Sequence, residues 1–262
     1  MKAWCEGRLV GCEVLPAGAV VPFETMGIVR GALPLWDRHM ARLGAAARDL
    51  GIVRAELEVP TGLREAVLAE ARSHGHDVVR VEVAPAGAVL SWRVHTRGRH
   101  VLEGPVVIVP TVARRAPGLP PAHLKALPRS AYDAVLVEAR AAGADDGIVV
   151  GDDGAVLETA LGNLLLRIDA GWVTPALDGR VLPGIARAVL LGQLAAQGER
   201  VVERRCDLAD LHRATTLVVC NAVHGPRGAV LMRVPARGEA VVAAVGPGVE
   251  VLRACWERAL AT

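Results

Sequence analysis

A short segment rich in proline and glycine divides the sequence and limits how the chain can fold. Residues 113–122 read Ala-Arg-Arg-Ala-Pro-Gly-Leu-Pro-Pro-Ala, with three prolines and one glycine. Proline lacks the amide hydrogen that helices and sheets use, and glycine weakens both kinds of structure. We therefore predict a linker at 113–122 between a small N-terminal α/β domain of residues 1–112 and a larger C-terminal domain of residues 123–262.

Hydrophobic periodicity predicts helices and strands on both sides of this linker. The helices are expected at 37–51 with Asp37 as the N-cap, and at 62–75, 130–142, 183–197, 208–213 and from 247 onward. The strands are expected at 78–83, 89–95, 106–111, 147–157, 163–174, 201–204, 216–220, 229–234 and 240–245, two of these ranges being hairpins. Strands and helices do not alternate strictly, so the pattern predicts an α+β architecture in two domains.

Composition excludes several classes of protein. The formal charge is +2 without a long basic run, which argues against nucleic-acid binding. The sequence has no signal-peptide pattern and no apolar stretch of about twenty residues that could span a bilayer. The five cysteines are widely spaced, which argues against a disulfide framework or a zinc site. We therefore expect a cytoplasmic protein that binds neither membranes nor metals.

Lys125 is the first candidate for chemistry. It is one of two lysines in the chain, the other being Lys2, although arginine is abundant. An arginine stays protonated, whereas a desolvated lysine can lose its proton and react with a carbonyl. Lys125 has apolar neighbours and follows the predicted linker. It is either a catalytic amine or a surface lysine at the end of a loop.

Two further features are weaker on their own. Glu158 ends an apolar strand, where its carboxylate either holds a pyridine nitrogen protonated or faces water. The segment Leu182-Pro-Gly-Ile-Ala-Arg187 opens a helix, and free amides at a helix start form a ready anion site. Plain helix initiation explains its Pro-Gly pair equally well.

Five motifs in one order resemble the class IV (fold type IV) aminotransferases, which use pyridoxal phosphate. They are Phe23-Glu-Thr-Met followed by Leu35-Trp-Asp-Arg-His-Met-Ala-Arg-Leu43, Lys125, Gly154 to Glu158 with Asn163-Leu164, Thr174-Pro175, and Leu182-Pro-Gly-Ile-Ala-Arg187. The resemblance covers roughly residues 20–230. It implies the two-domain fold of the D-amino-acid aminotransferases and a homodimer.

The resemblance also implies roles for individual residues. Lys125 would carry the cofactor and move protons at the substrate carbon, and Glu158 would pair with the pyridine nitrogen. Arg42, which would otherwise be read as part of a solvated helix face, would bind the phosphate. The remaining cofactor-binding residues would be Asn163, Ile185, Ala186, Asn221 and Ala222.

Within the family, the sequence after Lys125 is most similar to 4-amino-4-deoxychorismate lyases, which commonly show Lys-x-x-x-Arg. Here Lys125 is followed by Arg129, and Asn221-Ala-Val-His-Gly225 is similar to a turn of those lyases. A substrate with two carboxylates needs positive charge. The expected substrate-binding residues are Phe23, Thr25, Arg129, His224 and Arg227. Arg129 could equally be a solvent-facing arginine at a helix start.

Two other functions stay open. A D-amino-acid or branched-chain aminotransferase needs the same lysine, so the motifs around Lys125 do not separate it from a lyase. A non-catalytic member of the family is the third hypothesis. It is suggested by Gly18-Ala-Val-Val-Pro22 and Ala186, which replace a usual G-D-G and a usual threonine. The retained Lys125 argues against it.

Overall fold

The computed structural model describes the whole chain except residues 14, 17, 88, 101–102, 114–117, 233–245, 247 and 262. The chain forms two units. The first comprises Met1–Val101 and Leu124–Pro128, and the second comprises Leu102–His123 and Arg129–Thr262. The backbone therefore leaves the first unit, returns to it for five residues and leaves it again.

The first unit is built on a six-stranded sheet. Its elements are β1 (Lys2–Cys5), β2 (Arg8–Gly11), β3 (Val21–Gly27), α1 (Trp36–Asp49), α2 (Leu63–Ser73), β4 (Val78–Ala86), β5 (Val89–Arg97) and β7 (Ala126–Leu127). The spatial order is β2-β1-β5-β4-β3-β7, with antiparallel neighbours throughout. Val79, Val81 and Val83 alternate along β4 and pack into one apolar cluster with residues of both helices. Arg80 and Glu82 lie on the opposite face of β4.

The helix α1 begins earlier than predicted. Its N-cap is Leu35, with no side-chain hydrogen bond, so Asp37 is not the cap. Trp36 is the first helical residue and packs into the apolar cluster of the first unit. Burial of the indole outweighs the preference for a capping side chain, and Asp37 instead lies in the first turn, where the helix dipole favours a carboxylate.

The second unit is built on an eight-stranded mixed sheet. Its elements are β6 (Val106–Pro110), α3 (Ser130–Ala141), β8 (Asp146–Val150), β9 (Val156–Thr159), β10 (Asn163–Ile168), β11 (Gly171–Pro175), α4 (Ile185–Ala196), β12 (Val201–Arg204), α5 (Leu208–Arg213), β13 (Thr216–Asn221), β14 (Gly225–Leu231) and α6 (Gly248–Leu260). The spatial order is β12-β11-β10-β13-β14-β6-β8-β9. Leucine and valine residues alternating along the central strands form its main core.

The two units do not follow the predicted boundaries. The strand β6 was expected in the N-terminal domain, but it pairs with β8 and β14 in the second unit. Residues 124–128 were expected in the C-terminal domain, but β7 pairs with β3 in the first. Strand pairing, rather than the position of the prolines, decides which unit a segment joins. Residues 114–117 of the predicted linker lie outside the described residues.

The other predicted elements lie close to their positions in the structure, whereas the strands β1, β2, β3 and β7 had no predicted range. The strand predicted at 240–245 and the end of the one at 229–234 fall outside the described residues. Within the part of the chain that the structure describes, no helix combines the length and the hydrophobicity needed to cross a membrane.

Candidate active site

Lys125 lies directly before β7 and next to the single phenylalanine of the chain. The backbone amide of Phe23 donates to the carbonyl of Lys125 at 2.9 Å. The Lys125 Nζ atom lies 4.7 Å from the centroid of the Phe23 ring, and the Arg80 guanidinium lies 3.9 Å from the same centroid. Two cations therefore lie against one aromatic ring, which attracts positive charge through its π electrons.

The alternation of side chains along β3 separates the predicted residues between two faces. Phe23 and Thr25 point to one face, and Glu24 points to the other. Thr25 is directly opposite Arg80 in the register of β3 and β4. The first of these faces therefore combines the two substrate-binding residues predicted on this strand with Arg80, which the sequence alone did not indicate.

On the other face, Glu24 forms a buried cluster with two residues of α1. Its carboxylate accepts Arg42 Nε at 2.7 Å, Arg42 Nη2 at 2.7 Å and His39 Nδ1 at 2.6 Å. Because a carboxylate only accepts, the Nδ1 atom of His39 carries the proton. Burial alone raises the pKa of Glu24, but the charge of Arg42 and the bonds from His39 and Arg42 outweigh it and lower this pKa to about 2. Glu24 is thus ionised in the folded protein.

The cluster holds Arg42, the predicted phosphate ligand, in a fixed orientation. Two parallel bonds to one carboxylate fix the plane of the guanidinium. His39 is almost fully buried, and this burial lowers its pKa despite the bond to Glu24. The charges of Arg42 and Lys125 lower it further, so both cations lie near the imidazole. The first unit therefore brings Arg42 and Lys125 into one electrostatic environment.

In the second unit, Glu158 is buried at the end of β9, with 3% of its surface exposed. The Tyr132 hydroxyl donates to its Oε1 atom at 2.7 Å. Its Oε2 atom accepts Asn163 Nδ2 at 3.2 Å and the backbone amide of Leu182 at 3.2 Å. These hydrogen bonds stabilise the charged form of a carboxylate that burial removes from water. The structure excludes the alternative of a strand-end glutamate exposed to water.

Asn163 connects Glu158 to the start of α4. Its Nδ2 atom also donates to the Leu182 carbonyl at 2.9 Å. A Cβ atom added to Gly184 would lie 1.8 Å from Asn163 Oδ1, so any larger residue here would displace the Asn163 side chain. Gly184 is the N-cap of α4 and makes no side-chain capping bond, and the first turn has no acidic residue. The helix start at Ile185 and Ala186 therefore has amides with no intrahelical partner and a positive dipole end.

The turn at residues 159–162 joins Glu158 to Asn163 and is fixed from several sides. Arg129 Nη2 donates to the Ala160 carbonyl at 2.6 Å, and Asn221 Nδ2 donates to the Leu161 carbonyl at 3.2 Å. Asp146 accepts the Leu161 amide at 3.3 Å. Burial raises the pKa of Asp146 to about 6, against the hydrogen bonds that favour its charged form. The turn thus brings Arg129 and Asn221 to the residues around Glu158.

The other predicted residues of this unit lie in or after the turn between β13 and β14. The Asn221 side-chain oxygen accepts the amides of Val223 and His224 at 3.0 and 2.9 Å, which folds the chain around Ala222. Arg227 lies on β14 and donates to the Gly104 carbonyl at 2.6 Å. This bond gives Arg227 a structural role between two segments far apart in sequence.

The motifs and the fold agree with one family of known proteins. The family described as amino-transferase class IV matches residues 22–230. The chain belongs to the class IV aminotransferases. This family consists of pyridoxal-phosphate-dependent enzymes that act on small molecules, and the predicted family and α+β fold are both confirmed.

Solved structures with this fold include both lyases and aminotransferases. A 4-amino-4-deoxychorismate lyase from Pseudomonas aeruginosa is 24% identical, with a TM-score of 0.78 and 98% of each chain covered. An aminotransferase from Brucella abortus bound to pyridoxal phosphate is 21% identical, with a TM-score of 0.79 over 100% of this chain and 99% of that one. A branched-chain aminotransferase from Thermoproteus uzoniensis with norvaline is 21% identical, with a TM-score of 0.79 over 100% and 95%. These likenesses show the fold of this class IV aminotransferase and do not distinguish between the two reactions.

The residues of the chain fit the family cofactor. Glu158 supplies a buried, hydrogen-bonded carboxylate suited to a protonated ring nitrogen. The start of α4, where Gly184 leaves no room for a Cβ atom, supplies amides suited to a phosphate. Lys125 would supply the amine. These are the chemical groups that a phosphorylated pyridine aldehyde requires.

Proposed function

We propose that this class IV aminotransferase is a 4-amino-4-deoxychorismate lyase, which forms 4-aminobenzoate and pyruvate. The observation that carries the proposal is the pair of cations at Phe23, since Lys125 and Arg80 lie 4.7 and 3.9 Å from its ring centroid. A substrate with two carboxylates is attracted by positive charge close to the reacting lysine. The Lys125-x-x-x-Arg129 spacing, which resembles the lyases of the family, supports the same choice.

Lys125 performs the proton transfers in this proposal. Its amine accepts the proton from the substrate carbon that bears the amino group, and the enolpyruvyl group leaves as pyruvate after it is protonated. Bound pyridoxal phosphate supplies an electron sink for the negative charge that develops at that carbon. The loss of pyruvate leaves an aromatic ring, 4-aminobenzoate, and this aromatisation drives the reaction.

The other residues bind and orient. Glu158 would keep the ring nitrogen of the cofactor protonated, and Asn163 and the Leu182 amide donate to its carboxylate and hold it in place. The amides of Ile185 and Ala186 and the turn at Asn221 and Ala222 are the proposed phosphate ligands of the second unit, and Arg42 is the one proposed in the first. Thr25, Arg129 and His224 belong to the proposed substrate-binding set, together with Phe23 and Arg227.

Product analysis tests the reaction. The purified protein with pyridoxal phosphate is given 4-amino-4-deoxychorismate, and 4-aminobenzoate and pyruvate are measured. We expect both products in equal amounts, and none from Lys125→Arg. Lys2→Arg is the matched control, because Lys2 is the only other lysine of the chain. Lys2 pairs with Glu70 at 2.6 Å, an ion pair that arginine can retain, so this variant should keep full activity.

Chemical mapping tests the position of the cofactor independently of the substrate. Borohydride reduces the linkage between a lysine and pyridoxal phosphate to a stable amine, and peptide mass spectrometry then locates the added mass. We expect the label on Lys125 and none on Lys2. A label on Lys2, or a colourless protein without any label, would contradict the proposal and would favour a non-catalytic member of the family.

The competing reaction is transamination. If no 4-aminobenzoate forms, but D-alanine or a branched-chain amino acid is converted to its keto acid with loss of the visible absorbance, the protein is an aminotransferase. Labelled Lys125 with neither reaction would leave the cofactor role intact and exclude both named activities.

Three further properties belong to the proposal. The resemblance implies a homodimer, which light scattering of the purified protein measures directly. A lyase of this kind supplies a precursor of folate. The five cysteines are free thiols, which fits the expected reducing cytoplasm.

A further inference from the structure

We propose that Tyr132 is a positioning residue that fixes the carboxylate of Glu158 in the orientation in which it meets the cofactor ring. The inference rests on the proposed role of Glu158 and extends it to a residue for which the motifs give no function. Tyr132 is the only tyrosine of the chain. It is the third residue of α3, which begins at Ser130, shortly after the strand β7 ends at Leu127.

The two oxygens of Glu158 are held by different parts of the second unit. Tyr132 on α3 donates to Oε1 at 2.7 Å, whereas Asn163 and the Leu182 amide donate to Oε2 at 3.2 Å each. The last torsion of a glutamate side chain is otherwise broad. A carboxylate with a donor at each oxygen cannot rotate about this torsion without losing a bond. The short bond from Tyr132 holds the Oε1 end.

The ring of Tyr132 is itself held in place. The Arg129 guanidinium lies 4.6 Å from the ring centroid, and Arg129 is fixed by its 2.6 Å bond to the Ala160 carbonyl. The ring also lines a cavity of about 410 Å³, with Val135 and Leu157 among the other lining residues. Tyr132 therefore places its apolar ring against a mainly apolar wall and its hydroxyl against the carboxylate, as amphipathic aromatic residues do.

Replacement of Tyr132 by phenylalanine tests the role of the hydroxyl separately from that of the ring. In Tyr132→Phe the ring, its contact with Arg129 and the packing of the cavity are retained, and the hydroxyl that donates to Glu158 Oε1 is lost. The donors to Oε2 remain. If the hydroxyl had no part in cofactor binding, this change would leave the absorbance and the affinity of the bound cofactor unchanged, because phenylalanine fills the same space.

The test compares three variants of the full chain, Tyr132→Phe, Glu158→Gln and the control Val137→Thr. Val137 lies on the same helix as Tyr132, and 67% of its surface is exposed. The measurements are the visible absorbance of the bound cofactor, the affinity for pyridoxal phosphate after its removal, and the melting temperature without cofactor. For Tyr132→Phe we expect a shift of the absorbance maximum in the same direction as for Glu158→Gln, and an affinity about tenfold lower, as for one lost bond to a charged group. Its cofactor-free melting temperature should fall only slightly, by the loss of one hydrogen bond, and all three properties of Val137→Thr should match the parent.

The contrary outcomes are distinct. If Glu158→Gln shifts the absorbance and Tyr132→Phe does not, the positioning role is wrong and the proposed role of Glu158 stands. If Tyr132→Phe lowers the melting temperature but leaves the absorbance of the bound cofactor unchanged, Tyr132 is only structural and the inference fails. If neither variant changes the absorbance, the proposed role of Glu158 fails and the inference fails with it.

Discussion

Replacement of Glu24 by glutamine should destabilise the first unit more than any substitution of an exposed carboxylate. Glu24 is fully buried and bonds to both His39 and Arg42. Glutamine has the same shape but no charge, and its amide group directs donors at the donors of Arg42 or His39. The glutamine NH₂ group and a donor of Arg42 or His39 then face each other inside the protein, or Arg42 turns away from the position in which Glu24 holds it.

The magnitude follows from the pKa of Glu24. The surroundings lower this pKa from 4.5 to about 2. At about 1.4 kcal/mol per pKa unit, the ionised carboxylate stabilises the fold by about 3 kcal/mol. Breaking a buried ion pair by removing one partner costs about 3–5 kcal/mol, which is consistent with this value. The contribution is complete above about pH 4.5 and is lost as the pH falls toward 2, because the folded protein binds the proton more weakly than the unfolded chain.

Chemical denaturation at neutral pH measures the effect. Far-UV circular dichroism and tryptophan fluorescence are followed together, since coincident curves establish a two-state transition. The control is Glu70→Gln, which removes an ion pair with Lys2, whose side chain is 39% exposed, and should cost about 0–1 kcal/mol. If Glu24→Gln costs no more than Glu70→Gln, the cluster does not stabilise the fold in the way described.

Two more predictions concern the second unit. Gly184→Ala should lower stability by about 1–3 kcal/mol and weaken the binding of pyridoxal phosphate, because its Cβ atom would lie 1.8 Å from Asn163 Oδ1. Gly192→Ala, on the same helix with no atom within 4 Å of the added Cβ, should instead raise the unfolding free energy by about 0.5–1 kcal/mol, and equal effects in denaturation would refute the steric reasoning. In the parent, the free energy of unfolding should fall by about 3 kcal/mol as the pH rises from 3.8 to about 6, because burial raises the pKa of Asp146 to about 6 and makes its ionisation unfavourable. Asp146→Asn should abolish this fall. Parallel stability curves for parent and variant across this pH range would contradict that assignment.

The sequence predicted the elements and the family well, because both depend on local patterns. The helix α4 follows from Pro183-Gly184 and the periodicity after it, and the structure begins this helix at Ile185. Lys125 was proposed as a reactive residue from the rarity of lysine, and this role stays a prediction. The same reasoning applies to Phe23 and Tyr132, the single phenylalanine and tyrosine of a chain poor in aromatic residues. The signal for Tyr132 was therefore present, although no role was predicted for it.

The contacts that organise the candidate site could not be predicted in this way. Glu24 is 15 residues from His39, and Tyr132 is 26 residues from Glu158. Such pairs are set by strand register and helix packing, which periodicity does not specify. Asp146 is an ordinary aspartate in the sequence, and only the fold shows that it is buried beneath the turn at 159–162. Arg80 likewise becomes notable only when its position opposite Thr25 is known.

The path of the chain limits how its two units can be exchanged between related genes by recombination. The first unit needs Leu124–Pro128, which the chain supplies only after it has begun the second unit. A gene fragment that ends at residue 112 would encode the sheet without β7, without Lys125 and with the edge of β3 exposed. A single recombination between two relatives at that point would join the sheet of one parent to the lysine of the other. Two breakpoints, one on each side of 124–128, are needed to transfer the lysine together with the sheet that positions it.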